Sequence, residues 1–246
     1  MREDIKKFAD IIDKSNNIVF FGGAGVSTES NIPDFRSDKG LYNAQHKYSM
    51  SPEAIISHDY FLSNTDTFFE YYKENLIYEE AEPNKAHLAL AKLEREGKLK
   101  AVITQNIDGL HQLAGSKNVF ELHGSVLKNT CMKCGKHFTL EYILDDVHCK
   151  GHIPLCDKCG DIVKPDVVLY QEPLDDMIIS GAVNAIKEAD TLIVGGTSLV
   201  VYPAAGLINY FRGKNLILIN KQATSYDNKA DLVFRDAIGE IMGYLL

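Results

Sequence analysis

Ile18-Val19-Phe20-Phe21-Gly22-Gly23-Ala24-Gly25-Val26-Ser27-Thr28 is an apolar run that stops at glycines and continues into small polar residues. A buried strand feeding a glycine turn and a helix start is how α/β folds hold a phosphate. Glycine lets the backbone come close, and the unpaired N–H groups of a first helical turn favour an anion. The spacing Gly23-x-Gly25-x-x-Thr28 lacks the third glycine of the usual dinucleotide pattern. Taken alone, the stretch equally describes a tight strand-to-helix turn that binds nothing. Pro33-Asp34-Phe35-Arg36 follows. There an apolar ring and a cation would suit a phosphate site, or else Phe35 is core and Arg36 a solvated charge.

Working outward, the pattern repeats. Ala101–Thr104 ends at Gln105-Asn106-Ile107-Asp108-Gly109, and Val119–Leu122 at His123-Gly124. Thr191–Val194 ends at Gly195-Gly196-Thr197-Ser198, and Leu216–Ile219 at Asn220. Leu232-Val233-Phe234 is a last run, before Arg235-Asp236-Ala237-Ile238. Helical patterns are predicted over residues 2–14, Thr67 to Tyr78 and Pro83 to Glu96. Continuous apolar runs alternating with helices imply a parallel sheet covered on both faces. Ligands bind such sheets outside the carboxyl ends of the strands, where these polar residues would collect. No acidic residue stands at a strand end about 20 positions after the glycines, so ordinary hydride transfer is disfavoured.

The composition, 45% apolar and 24% charged, is that of a globular protein. No run approaches a membrane span of ~20 apolar residues, and the charged start M-R-E-D-I-K-K lacks a signal-peptide core. A cytoplasmic protein without membrane or nucleic-acid partners is therefore expected, and the net charge of −8 supports the last point; a monomer is compatible with the sequence, which does not fix the oligomeric state. Cys131-x-x-Cys134 and Cys156-x-x-Cys159, each followed by glycine, are the knuckles of a structural zinc site. A redox pair would explain one but not both. Cys149 is left over as a free, partly buried thiol.

With these motifs assembled, the chain resembles the sirtuins of the bacterial type, NAD-dependent protein-lysine deacetylases. The resemblance rests on G-A-G-V-S at 23–27, I-P-D-F-R at 32–36, T-Q-N-I-D-G-L-H at 104–111, H-G at 123–124, G-T-S-L at 196–199 and L-I-N at 218–220. It implies a Rossmann-like parallel sheet domain (1–36, 83–126 and 166–246) with a helical insert (37–82) and a zinc-binding insert (127–165). NAD and zinc are the implied cofactors, and acetylated-lysine proteins the substrates. By the resemblance, Ala24, Gly25, Ser27, Thr28 and Arg36 hold the phosphates and nearby ribose, and Phe35 shields the nicotinamide ribose. Gln105 binds ribose, and Asn106, Ile107 and Asp108 form the nicotinamide pocket. Gly196, Thr197, Ser198, Asn220, Ala237 and Ile238 take the adenosine half. His123 is the general base and Asn106 its catalytic companion. Val168, Leu169 and Tyr170 form the substrate segment, with the Val168 carbonyl accepting the acyl-lysine N–H. The family often has Phe-Gly where this chain has Tyr170-Gln171, and threonine where it has Gly22. Succinyl-preferring members carry Tyr-x-x-Arg where this chain aligns Phe69 and Tyr72, so neutral acyl groups are expected. A sirtuin-like ADP-ribosyltransferase and a non-catalytic NAD or ADP-ribose sensor are the alternatives.

Overall fold

The computed structural model describes residues 2–34 and 45–246. Six strands form one parallel sheet: β1 (Ile18–Gly22), β2 (Leu99–Thr104), β3 (Val119–Glu121), β9 (Thr191–Gly195), β10 (Asn215–Ile219) and β11 (Leu232–Phe234). Their spatial order is β11-β10-β9-β1-β2-β3. The chain builds outward from β1 on one side and then restarts at β9 on the other, as in a Rossmann fold. A crevice therefore opens at the carboxyl ends of β1 and β9.

The apolar runs are unbroken because each strand is covered on both faces. Ile18 and Phe20 face a core with Ile193, Ile217 and Ile219, closed by Phe8, Leu90 and Ile241 from helices. Val19 and Phe21 point the other way, to Leu192, Leu218, Ala182 and Ile186. The helices Glu3–Lys14, Lys85–Arg95 and Asp176–Glu188 supply most of these covers. They match the positions predicted for the first two.

Between β3 and β9 the chain leaves the sheet. Four short strands, β4 (Gly124–Cys131), β5 (His137–Phe138), β6 (Cys149–Lys150) and β7 (Ile153–Pro154), precede β8 (Val163–Val167). β5, β4 and β8 form an antiparallel sheet, and β6 pairs with β7. The helices His58–Ser63 and Thr65–Asn75 pack on this unit. Phe61, Phe68, Phe69 and Tyr72 share one core with Val126, Phe138, Ile143, Val163, Cys131 and Cys156. These four aromatic side chains are packing for a joint small lobe.

Two differences from the sequence reading concern the ends of strands. The glycine turn does not start an α-helix. It leads into two 3₁₀ turns, Ala24–Val26 and Thr28–Ser30, which stop at a left-handed Asn31. The Val26 carbonyl that a helix would use instead accepts the Asn84 amide at 2.8 Å. The second concerns β3, which ends at Glu121; Leu122 and His123 form a turn that leads into β4 of the other sheet. Gly124 has φ 76°, and a Cβ there would strike the Asp166 carbonyl.

Two histidines are buried beneath this framework, His87 on the Lys85–Arg95 helix and His111 on the short Leu110–Leu113 helix. Their rings lie 4.7 Å apart. The Asn84 N–H donates to His87 Nδ1 at 3.2 Å. His87 Nε2 and both His111 nitrogens have no hydrogen-bond partner among the described residues. Burial holds His87 down to about 4; burial and then the neighbouring His87 hold His111 down to about 3. Both stay neutral when folded but protonate near 6.5 when unfolded, so stability falls as pH drops from 6.5 toward 4. Denaturant unfolding at each pH should show a loss on the order of 1 kcal/mol per pH unit for each imidazole. His111→Phe should flatten that slope; an unchanged slope would show that the pair does not set it.

Candidate active site and metal centre

The crevice at the switch point is a cavity of about 960 Å³. That is the upper end of the ~300–1,000 Å³ typical of small-molecule sites. Its floor is made by two loops in backbone contact. The Gly23 N–H donates to the Gly195 carbonyl at 3.3 Å, and the Gly25 N–H to the Gly196 carbonyl at 2.8 Å. A Cβ on Gly25 would sit 2.7 Å from the Gly196 Cα, and one on Gly23 would sit 2.9 Å from the Thr197 Cβ. The glycines are therefore needed for this close approach, whatever the cavity holds.

The Gln105–Asp108 loop is wired to that floor. The Gln105 N–H donates to the Gly22 carbonyl at 3.0 Å, and the Gln105 side-chain amide to Thr197 Oγ1 at 3.2 Å. The Asn106 amide donates to Ser27 Oγ at 3.0 Å, and Ser27 Oγ donates to Asp108 Oδ2 at 2.6 Å. Asp108 also accepts the Leu110 N–H at 2.9 Å. Burial raises the Asp108 carboxyl above its ordinary value, against the opposing pull of Ser27. The serine thus couples an amide to a carboxylate in a dry corner, where each has a fixed orientation.

His123 lines the same cavity. Its Nδ1 lies 2.9 Å from the Gln105 carbonyl. A carbonyl only accepts, so Nδ1 carries the hydrogen and Nε2 is left with its lone pair. Burial lowers the His123 pKa, outweighing the hydrogen bond. A neutral imidazole with a free nitrogen is the form a general base requires.

Of the residues singled out in the sequence, Ala24, Ser27, Gln105, Asn106, Ile107, Asp108, His123, Gly196, Thr197, Ser198, Val168, Leu169 and Tyr170 line this one cavity. Gly25 and Thr28 lie in the adjoining turns, where Thr28 Oγ1 donates to the Gly25 carbonyl. Asn220 follows β10, and its side-chain amide donates to the carbonyl of Gln222, itself a lining residue. Ala237 precedes the Ile238–Met242 helix, and Ile238 is buried against the sheet. Phe35 and Arg36 lie outside the described residues. The sequence reading missed Tyr71, Leu76, Ile77, Leu127 and Tyr202, which also line the cavity. Which face of a helix or hairpin meets a cavity is set by lobe packing, so no local signal marked them.

Cys131, Cys134, Cys156 and Cys159 come together in the small lobe, their sulfurs all within 4.8 Å of one another. Two of the pairs are 3.4 and 3.6 Å apart. Four thiolates at Zn–S distances of about 2.3 Å stand about 3.8 Å apart in a tetrahedron, so the cluster has the size and donor set of a structural zinc site. Cys149 is outside it, with Lys73 Nζ 3.3 Å from its sulfur.

The model of the Sir2 family matches residues 23–203. An NAD-dependent protein deacetylase of Clostridium acetobutylicum is 63% identical over 240 residues, covering 98% of this chain and 97% of the relative. That of Clostridium perfringens is 62% identical over 247 residues and spans both chains fully. Among solved structures, a Sir2 protein with a p53 peptide and NAD+ is 37% identical with a TM-score of 0.86, covering 100% of this chain and 97% of that one. A Sir2 protein bound to an acetylated peptide is 36% identical with a TM-score of 0.85, at the same coverage.

The shared core ties the zinc cluster to the lobe. Cys156→Ser should leave less than one zinc per chain by metal analysis. It should lower the melting temperature and release the metal to a chromogenic chelator. Full zinc content in the variant would exclude the four-cysteine site.

Proposed function

The chain belongs to the Sir2 family, and from that premise we propose how its residues carry out NAD-dependent protein-lysine deacetylation. The protein is an NAD-dependent deacetylase, moving the acetyl group of acetyl-lysine to ADP-ribose with one water consumed, and releasing free lysine and nicotinamide. The observation that carries the reading is His123, held neutral with its Nε2 free, in one cavity with Asn106, Asp108 and the glycine floor. When bound, NAD would supply a ribose carbon made electrophilic by the departure of nicotinamide, open to the oxygen of the acyl-lysine amide.

The chain's own groups divide this work. Gly23, Gly25 and Gly196 let the two floor loops pack against each other with no side chain between them, and NAD would lie along that floor. Asn106 and Asp108, fixed through Ser27, would hold the nicotinamide carboxamide. Gln105 serves twice: its side chain reaches Thr197 on the adenosine side, and its carbonyl sets the His123 tautomer. His123 Nε2 would take the proton from a ribose hydroxyl. Ala24, Gly25, Ser27, Thr28, Phe35 and Arg36 would contact the phosphates and the near ribose. Ser198, Asn220, Ala237 and Ile238 would lie along the adenosine half. Val168, Leu169 and Tyr170 lie beyond β8 on the cavity wall. The Val168 N–H is used on the His123 carbonyl at 2.9 Å. Its own carbonyl would take the acyl-lysine N–H.

The wall of the cavity favours a neutral acyl group. Its described lining residues include no lysine or arginine. Phe69 and Tyr72 are buried behind it in the small-lobe core, packed with Val126, Val167 and Leu169. A distal carboxylate would meet no cation there. Within the same reading, retention of both Asn106 and His123 favours deacetylation over ADP-ribosyl transfer or simple NAD sensing.

His123→Ala should leave NAD binding intact and reduce deacetylation by at least 10²-fold, the usual worth of a positioned base. In the wild type the acid limb of the pH–rate profile should fall below pH 6.5, because burial lowers the imidazole. Undiminished turnover in the variant would refute the assignment. Succinyl-lysine peptide should turn over far more slowly than acetyl-lysine peptide; equal rates would mean that a cation reaches the acyl group.

A further inference from the structure

Gln171 has φ 76°, in the left-handed region, although it is not glycine. For a residue with a Cβ this conformation costs free energy that glycine avoids. The side chain is fully engaged in return. Its Nε2 donates to Asp59 Oδ2 at 2.9 Å, and its Oε1 accepts the Asp59 N–H at 3.0 Å. Both ends of one amide thus grip one residue of the His58–Ser63 helix.

The neighbours repeat the attachment. The Tyr170 N–H donates to the Ile56 carbonyl at 3.1 Å, and the His58 N–H to the Tyr170 carbonyl at 3.0 Å. Glu172 accepts the Leu169 N–H at 2.9 Å and Lys164 Nζ at 3.2 Å, and His58 Nδ1 lies 2.9 Å from it. At the other end the Val168 N–H is tied to the His123 carbonyl. Residues 168–172 therefore run from the His123 strand end to the helical part of the small lobe and turn there, the Glu172 N–H donating to the Leu169 carbonyl at 3.0 Å. Val168 and Leu169 lie between two fixed points, on the cavity wall.

We propose that the Gln171–Asp59 pair is a clamp that presets residues 168–170 for pairing with the acyl-lysine peptide, which makes Gln171 a positioning residue for substrate. This rests on the reading of 168–170 as the substrate segment. Both members of the pair are exposed. Exposed polar contacts add little to global stability. What such a pair can contribute is preorganisation: the segment is already placed and anchored before peptide arrives, so less ordering opposes binding. A glycine at 171 would remove the backbone cost and the clamp together.

The experiment has two parts, both on the full chain with zinc and NAD. Hydrogen–deuterium exchange with and without acetyl-lysine peptide should show peptide-dependent protection at residues 165–172. Steady-state kinetics should then compare the wild type with Gln171→Gly, Asp59→Ala and Asp59→Asn. Gln171→Gly should raise the peptide KM by about 3- to 10-fold, the equivalent of one to two hydrogen bonds. The KM for NAD and the melting temperature should stay near wild-type values. Asp59→Ala, which keeps its backbone N–H, should give a smaller rise. Asp59→Asn, which keeps an acceptor oxygen for the glutamine amide, should return the peptide KM toward wild type. Absence of protection at 165–172 would remove the substrate-segment reading and the clamp with it. Protection together with an unchanged peptide KM in Gln171→Gly would overturn the clamp alone. A rise in both KM values with a fall in melting temperature would assign the pair a structural role and also overturn it.

Discussion

The structure depends on two backbone loops meeting with no side chain between them. β1 and β9 are neighbours, so their ends are brought together by strand pairing alone. What converts that meeting into a cavity floor is Gly23 and Gly25 against Gly195 and Gly196, with backbone hydrogen bonds of 3.3 and 2.8 Å. One Cβ on Gly25 would collide with backbone atoms that cannot rotate away. The loop after β2 hangs on this floor through Gln105 and Ser27, and His123 takes its tautomer from the Gln105 carbonyl. A shift of the floor would therefore pass to Asn106 and Asp108 and to His123.

Burial then sets the chemistry of the groups placed there. His123 and Asp108 are shifted in opposite directions, the histidine down and the aspartate up, and in each case dehydration disfavours the charged form. The hydrogen-bond partners act against the shift without cancelling it. The cavity thus keeps an imidazole neutral. The small lobe solves a different problem, since its strands are too short to enclose a core. A four-thiolate cluster and a shared aromatic core do so together, which couples metal retention to helix packing.

Much of this was legible in the sequence, for identifiable reasons. Strands such as Ile18–Gly22 and Thr191–Gly195 are apolar throughout because both faces are covered, and the run itself announces a parallel sheet. Polar residues at their ends announce the cavity edge. Paired C-x-x-C knuckles carry their own geometry. The local outcome after the glycine turn was not legible, because Asn84, far along the chain, caps the Val26 carbonyl and diverts the turn from an α-helix. The cavity-lining role of Tyr71 and Leu127 was equally hidden, since it follows from how two lobes pack. The substitution at Gln171 could be seen in the sequence, but its left-handed backbone and its hold on Asp59 required the structure.

The central claim is that this cavity transfers acetyl from lysine to ADP-ribose with NAD consumed in step. It is tested most directly by a mass-spectrometric time course with NAD and an acetyl-lysine peptide. Equimolar loss of peptide acetyl, release of nicotinamide and appearance of acetyl-ADP-ribose is the result the account predicts. Nicotinamide released while the peptide remains acetylated would contradict it.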